Sequence, residues 1–280
     1  MTSALTLGDV LRRAAAHLGK TSETARLDAE LLLAYSLGRE RIELYTDFDR
    51  PLTEPELDGY RALVARRARR EPVAYILGEW GFRRLTLAVD RRALIPRPET
   101  EVVVERCLTR LREVEDPRVL DVGTGTGAIA LALADELPGA RVTAIDISAD
   151  ALALAGENVG RTGLDIELFE HDLRAGLPAG PWDLVVSNPP YVEPHELDTL
   201  MPDVRDFEPH LALVGSGATE AVARAAADEL APGAWLVLEV GDGRASATAA
   251  LLDELGYIEV ATTADLTGRD RVVEGRRVGS

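Results

Sequence analysis

Cysteine and lysine are almost missing from this 280-residue chain, which holds one of each, Cys107 and Lys20. A single thiol excludes an intramolecular disulfide and any cysteine-rich zinc site, and no metal centre is expected. A reducing, cytoplasmic setting follows from the same count. No apolar run approaches the length needed to cross a bilayer. The opening stretch MTSALTLGDVLRR has no basic region leading into an apolar core and a small-residue cleavage site, so neither export nor a membrane partner is expected.

Positive charge is scarce as well. The formal net charge is -17, and residues 1–90, with 14 basic and 14 acidic side chains, contribute none of it. The later part, with 17 basic and 34 acidic residues, carries it all. An acidic catalytic half repels phosphate backbones, so no direct nucleic-acid substrate is expected. The one dense basic run, Arg66, Arg67, Arg69 and Arg70, reads as a solvated helix face. Its alternative is a docking surface for an acidic or RNA-rich partner.

What is present has clear periodicity. Leu7, Val10, Leu11, Ala14 and Leu18 recur at helical spacing, as do Leu27, Leu31, Ala34 and Tyr35. Ser22 can cap the second of these helices, and Thr53 with Glu56 has capping-box spacing ahead of Leu57, Tyr60, Leu63 and Val64. Residues 1–77 therefore form a small helical bundle. Its His17 reads as a surface residue. Leu85, Leu87 and Val89 then alternate with polar or small neighbours as in a hairpin. The stretch LIPRPETE stiffens a connector, residues 78–98, and hands over to a helix near Glu99.

From Arg118 the pattern is strand, turn, helix, repeated. Strands are expected over 119–122, 141–145, 166–169, 184–187 and 235–240, with two more near 257–261 and 271–273. Helices fit 128–136, 149–159, 219–230 and 245–255. This alternation predicts an α/β fold with a mainly parallel seven-stranded sheet, and ligands outside the carboxyl ends of its strands.

Residues just past those ends carry the chemistry. The first strand runs into DVGTGTGA, where Gly123, Thr124, Gly125, Thr126 and Gly127 let a ligand approach the backbone. No Lys-Ser or Lys-Thr follows, which excludes a P-loop. Asp146 lies 23 residues past Gly123, the place for a carboxylate that accepts from both ribose hydroxyls. Asp121 suits the ammonium of an amino-acid moiety. Asp172 can accept from an adenine amino group, with Leu173 against the ring. The pocket is thus one for an adenosine-containing cofactor, NAD or S-adenosyl-L-methionine.

The fourth strand separates the two. It ends in Asn188-Pro189-Pro190-Tyr191, where the prolines hold the backbone extended and leave carbonyl oxygens without competing N–H groups. The Asn188 side-chain oxygen and the Pro189 carbonyl can converge on one NH₂ group. Such a clamp suits a planar amide or exocyclic amine, whose nitrogen is a poor nucleophile until it is oriented. Tyr191 can lie against the planar group or form the pocket wall. Asn188, Pro189 and Tyr191 are therefore the candidate catalytic residues and, with Pro190, the substrate site. Alignment with a methyl already activated on a sulfonium is the main requirement, so His171, His195 and His210 are assigned structural or surface roles. S-Adenosyl-L-methionine is the expected cofactor.

Over nearly its whole length the chain resembles the peptide chain release factor glutamine methyltransferases. The resemblance is carried by EPVAYILGEWGF, LIPRPETE, LDVGTGTGAIALALA, AIDISADALALAGENV, DLVVSNPPY, EPHLALVGSG and DLTGRDRVVEGR. It implies a Rossmann-like class I methyltransferase domain over residues 99–280. It also implies that Asn188 and Pro189 orient a glutamine from a release factor's Gly-Gly-Gln loop, and that the Gly123–Gly127 loop, Asp146, Leu173 and Asn188 contact the cofactor. Release factors would be the partners, docked by residues 1–77. Three departures from the family pattern, around Gly215-Gly217-Ala218, in EVGDGR, and at Arg84 of the hairpin, lie outside the clamp and cofactor loop. They bear on docking more than on chemistry. The alternative activity is N6-adenine or other exocyclic-amine methylation of nucleic acid. A non-catalytic adaptor and an NAD oxidoreductase are the remaining rivals.

Overall fold

The structure is a computed structural model that describes residues 5–279. The first four residues of the stretch read for a leader lie outside the described residues, as does Ser280. The chain divides into two compact units. One comprises the residues up to Gly78 together with Met201–Phe207, the other Glu79–Leu200 with Glu208 onward. The hairpin thus belongs to the second unit, and a distant seven-residue segment returns to the first, which the sequence does not announce.

The first unit contains α1 (Leu7–Leu18), α2 (Ala25–Leu37), α3 (Glu43–Thr46), α4 (Glu54–Ala68) and α5 (Val73–Leu77). Helix α1 buries Leu7, Val10, Leu11, Ala14 and Leu18, as its spacing predicts. At the start of α4 the Glu56 carboxylate accepts the Thr53 N–H at 2.8 Å, satisfying a donor that the helix cannot.

Helix α2 departs from expectation. Leu27 and Tyr35 are exposed, and the buried face is Asp28, Ala29, Glu30, Leu32, Leu33 and Ala34. Ser22 does not cap it. The cap residue is Thr24, and the Ser22 and Thr24 hydroxyls bind Asp28 at 2.7 and 2.8 Å. Buried charge explains the rotation. Arg67 of α4, 6% exposed, donates to Asp28 at 2.7 Å and to Asp203 of the returning segment at 2.6 Å. Arg66 pairs with Glu71, and Arg70 with Asp203. Of the basic run only Arg67 is locked inside, while Arg66 and Arg70 are partly exposed and Arg69 is exposed, so the rest of it remains a solvated face.

The second unit opens with the antiparallel hairpin β1 (Glu79–Phe82) and β2 (Leu85–Ala88). Its turn places Arg83 at φ 50°, while Arg84 pairs with Asp135 at 2.9 Å. Next come α6 (Thr100–Leu111), β3 (Arg118–Val122), α7 (Ala128–Glu136), β4 (Arg141–Asp146), α8 (Ala149–Thr162), β5 (Glu167–Glu170) and β6 (Trp182–Ser187). The short α9 (Pro202–Arg205) lies in the segment of the first unit, before α10 (His210–Leu213), α11 (Ala218–Glu229), β7 (Leu230–Glu239), α12 (Ala245–Glu254), β8 (Tyr257–Ala264) and β9 (Asp270–Arg277).

The seven-stranded sheet has the order β5-β4-β3-β6-β7-β9-β8, parallel from β5 through β7, with β9 antiparallel to both of its neighbours. The central strands are apolar on both faces because both are covered. On one face Val119, Leu184 and Val186 meet Val103, Cys107 and Leu131. On the other Leu120, Val185, Leu236 and Leu238 meet Val222, Ala223 and Leu252. Each such fully buried valine or leucine contributes roughly 1.5–3 kcal/mol. The chain runs outward from β3 through β4 to β5 and returns at β6 on the other side of β3. That reversal is the topological switch point at which an open α/β sheet leaves a crevice. No helix among the described residues is long and apolar enough to cross a membrane.

Candidate active site

A cavity of about 460 Å³ opens at the carboxyl ends of β3, β4 and β6, within the range of small-molecule sites. Gly123, Thr124, Gly125, Thr126, Asp146, Asp172, Leu173, Asn188, Pro189 and Pro190 all line it. Asp121, Gly127 and Tyr191 do not stand in its wall.

The floor is the turn between β3 and α7. Gly123, Gly125 and Gly127 have φ of 75°, 57° and 80°, a region open to glycine and costly for other residues. A Cβ on Gly123 would meet no protein atom and would take up space that a ligand could use. Asp146 fastens the turn from the next strand. One of its oxygens accepts the Gly125 N–H and the other the Ser148 N–H, each at 2.9 Å. Each carboxylate oxygen keeps a further lone pair for a ligand hydroxyl. Burial raises the Asp146 pKa, against the pull of the Ser148 and Gly125 N–H groups.

Asp121 has a different role from the one expected. It is fully buried beneath the turn, where one oxygen accepts the Thr124 hydroxyl at 2.7 Å and the other makes no hydrogen bond of good geometry. It holds the loop and does not face the cavity. Asp172 is also less free than expected, because it takes the backbone N–H and guanidinium of Arg174, which lowers its pKa. His171 is tied to the Gly176 carbonyl at 2.8 Å, and His17, His195 and His210 are exposed.

Further cavity residues were missed in the sequence. Ile147, 42% exposed, lines the cavity immediately after Asp146. An apolar residue directly past a strand-end carboxylate was the available signal. The connector supplies Ala93, Ile95, Pro96 and Arg97 to the wall. It is pinned by Glu208, which accepts the Ile95 N–H at 3.1 Å and pairs with Arg97. A cavity with ribose-type acceptors at Asp146, apolar surfaces at Ile147 and Leu173, and a bare backbone at Gly123 fits an adenosyl group.

At the opposite wall, Asn188 follows β6. Its Nδ2 donates to the Thr100 hydroxyl at 3.3 Å, which leaves Oδ1 as the end of the amide not engaged by that bond. Gly215 lies directly behind the clamp, where a Cβ would sit 2.5 Å from Pro190 Cγ and 2.7 Å from the Pro190 carbonyl oxygen. A Cβ on Gly241 would sit 2.8 Å from the Tyr191 ring. The two stretches that hold these departures therefore run against Pro190 and Tyr191, nearer the clamp than the sequence suggests. Tyr191 packs here, behind Pro190. Gly215→Ala is expected to displace Pro190 and to lower turnover roughly 10- to 100-fold, since misplacement by about 1 Å can cost that much. Steady-state rates measured beside cofactor affinity would check it.

Two buried carboxyls give the unit an unusual pH response. Burial raises Asp121 to about 7 and Glu239 at the end of β7 to about 7. Between the unfolded values near 4 and these folded values, the native state binds more protons than the unfolded chain. The associated stability is fully present below the lower value and is lost as pH rises through about 7. Stability of the ligand-free protein should therefore fall from pH 5 to pH 7 and level off above, by at most about 1.4 kcal/mol per pH unit for each group. Urea unfolding at the two pH values would measure this, and Asp121→Asn should flatten the slope.

Comparisons with known proteins agree with this geometry. Residues 9–78 match the family described as PrmC N-terminal domain, and residues 100–206 the family described as Methyltransferase small domain. The release factor glutamine methyltransferase of Geobacter sulfurreducens is 44% identical, over 92% of this chain and 91% of its own. That of Deinococcus radiodurans is 43% identical over 98% and 99%. A T. thermophilus 16S rRNA methyltransferase solved in complex with AdoMet and guanosine shares the fold, with a TM-score of 0.53 at 20% identity over 71% of this chain and 49% of that one. The sheet is that of a class I methyltransferase, and the rival readings as an adaptor or an NAD enzyme fall away. With close relatives along nearly its entire length, the chain belongs to the release factor glutamine methyltransferase family.

Proposed function

We propose that this protein transfers a methyl group from S-adenosyl-L-methionine to the side-chain amide nitrogen of the glutamine in the Gly-Gly-Gln motif of peptide chain release factors. The observation that carries the reading is the orientation of Asn188. Its NH₂ is committed to Thr100, so the oxygen end of the amide is left for a substrate donor. The Pro189 carbonyl is the second acceptor. When bound, the cofactor supplies a methyl group already activated on a sulfonium.

The residues of the chain do the rest. Gly123 and Gly125 present bare backbone to the cofactor, and Asp146 takes its ribose hydroxyls. Asn188 and Pro189 hold the glutamine NH₂ by both hydrogens, so that its nitrogen presents one open face. Alignment of this kind is worth up to roughly 7–11 kcal/mol in favourable intramolecular cases. The residues up to Gly78 serve as the docking unit for the release factor.

Incubation of the protein with S-adenosyl-L-methionine and a release factor, followed by peptide-level mass analysis, tests the reading. One added methyl on the Gly-Gly-Gln glutamine is expected. Methylation confined to DNA or ribosomal RNA supplied alongside would end it.

A further inference from the structure

The amide of Asn188 is the first link in a buried chain that reaches the far end of β7. Asn188 Nδ2 donates to Thr100 Oγ1 at 3.3 Å, and the Thr100 hydroxyl donates to Glu239 Oε2 at 2.7 Å. Thr100 is 4% exposed and Glu239 2%. Three separate elements meet here: the start of α6, the end of β6 and the end of β7. Thr100 also lines the cavity, and Glu239 stands behind it.

The direction of the chain follows from what each group can do. An ionised carboxylate only accepts, and a hydroxyl has one proton to give. Glu239 takes that proton's hydrogen bond. Thr100 then has only lone pairs to turn toward Asn188, and lone pairs require a donor. The NH₂ end of the Asn188 amide must face Thr100, which sends Oδ1 the other way.

We propose that Thr100 and Glu239 are positioning residues for methyl transfer, fixing which end of the Asn188 amide meets the substrate nitrogen. This rests on the reading in which Asn188 accepts a hydrogen bond from the glutamine NH₂. Were the amide turned over, two NH₂ groups would face each other, donor against donor, and the grip on the nitrogen would be lost. A hydroxyl at position 100 is needed for this discrimination, and an acceptor at position 239 gives the hydroxyl its direction.

The test compares wild type with Thr100→Val, Thr100→Ser and Glu239→Gln at pH 8, where Glu239 is ionised. Four quantities are read: kcat, KM for a release factor, affinity for S-adenosylhomocysteine, and melting temperature. Thr100→Val, which keeps shape and removes the hydroxyl, is expected to lose roughly 100-fold in kcat, as for other misplaced reacting groups. KM and S-adenosylhomocysteine affinity should stay within about threefold, because the cofactor contacts are untouched. Thr100→Ser should restore kcat to within about threefold of wild type, since the hydroxyl is what the chain uses. Glu239→Gln, which can donate as well as accept, should lose roughly tenfold in kcat by letting the amide settle both ways. If Thr100→Val does not fold, Glu239→Gln carries the same comparison.

Unimpaired kcat in folded Thr100→Val or Glu239→Gln would overturn the inference. So would a Thr100→Ser protein as slow as Thr100→Val, or losses that track melting temperature and cofactor affinity. A wild-type protein that methylates no glutamine would overturn the function itself, and that outcome is distinct from the others.

Discussion

Asn188→Ala should abolish most methyl transfer to a release factor while leaving S-adenosylhomocysteine binding within a few fold. In the proposed mechanism the substitution removes one of the two acceptors that would orient the substrate NH₂. It leaves the Gly-rich turn and Asp146 in place. Deleting a single preorganised hydrogen-bonding group at a reacting centre costs roughly 100- to 1,000-fold in kcat, and that is the size expected here. The informative control is Asn188→Asp, which keeps an acceptor but cannot donate to Thr100, whose own proton is already committed to Glu239. It adds a negative charge to the clamp and should be as slow as the alanine variant. Turnover near the wild-type rate in Asn188→Ala would remove Asn188 from the site.

Arg67→Ala should have the largest effect on stability. Arg67 is 6% exposed and bridges Asp28 at 2.7 Å and Asp203 at 2.6 Å, with a further bond to the Glu71 carbonyl at 3.2 Å. Its removal leaves two carboxylates without their principal cation in a site with little water. Breaking a buried ion pair from one side costs about 3–5 kcal/mol, because the remaining charge is uncompensated. Arg67→Met restores most of the lost volume but not the charge, and should recover only the packing part. Hydrogen exchange at the amides of α2 and α4 would measure the loss within this unit, where a single melting temperature would mix it with the other. Protection unchanged in Arg67→Ala would mean that the ion pairs contribute nothing net.

Much of the fold was legible because its determinants are local. The runs at Leu120 and at Leu184–Val186 are apolar on both faces, so parallel strands could be read directly. The cofactor turn was equally plain, since three glycines before a helix have few other uses. The second helix was misread for a physical reason. Periodicity treats a carboxylate as a surface residue, whereas Asp28 and Glu30 face inward, satisfied by Arg67 on α4 and by Arg26 with Tyr45. Nothing near either carboxylate in the sequence names Arg67 as a partner.

The site was legible to the same depth. As residues that line the cavity, Asn188 and Pro189 declare themselves in four residues, and Asp146 by its distance from Gly123. Thr100 and Glu239 do not, because they are 139 residues apart and each is ordinary in its own surroundings. Gly215 is similar: its need to be glycine comes from Pro190, a neighbour only in space. Asp121 shows the opposite error. A carboxylate at a strand end was read as a ligand contact, and its Thr124 hydrogen bond makes it a strut of the turn instead.

The return of residues 201–207 to the helical unit bears on how the chain is made. A ribosome delivers Arg67 long before Asp203, which follows it by 136 positions. Until that later stretch has emerged, the guanidinium has only part of its final company. Domains fold as units during synthesis, the amino-terminal one first, but here the earlier module is finished by a late arrival. A fragment stopped at Gly78 would be an incomplete object, and a transplantable version must carry both pieces.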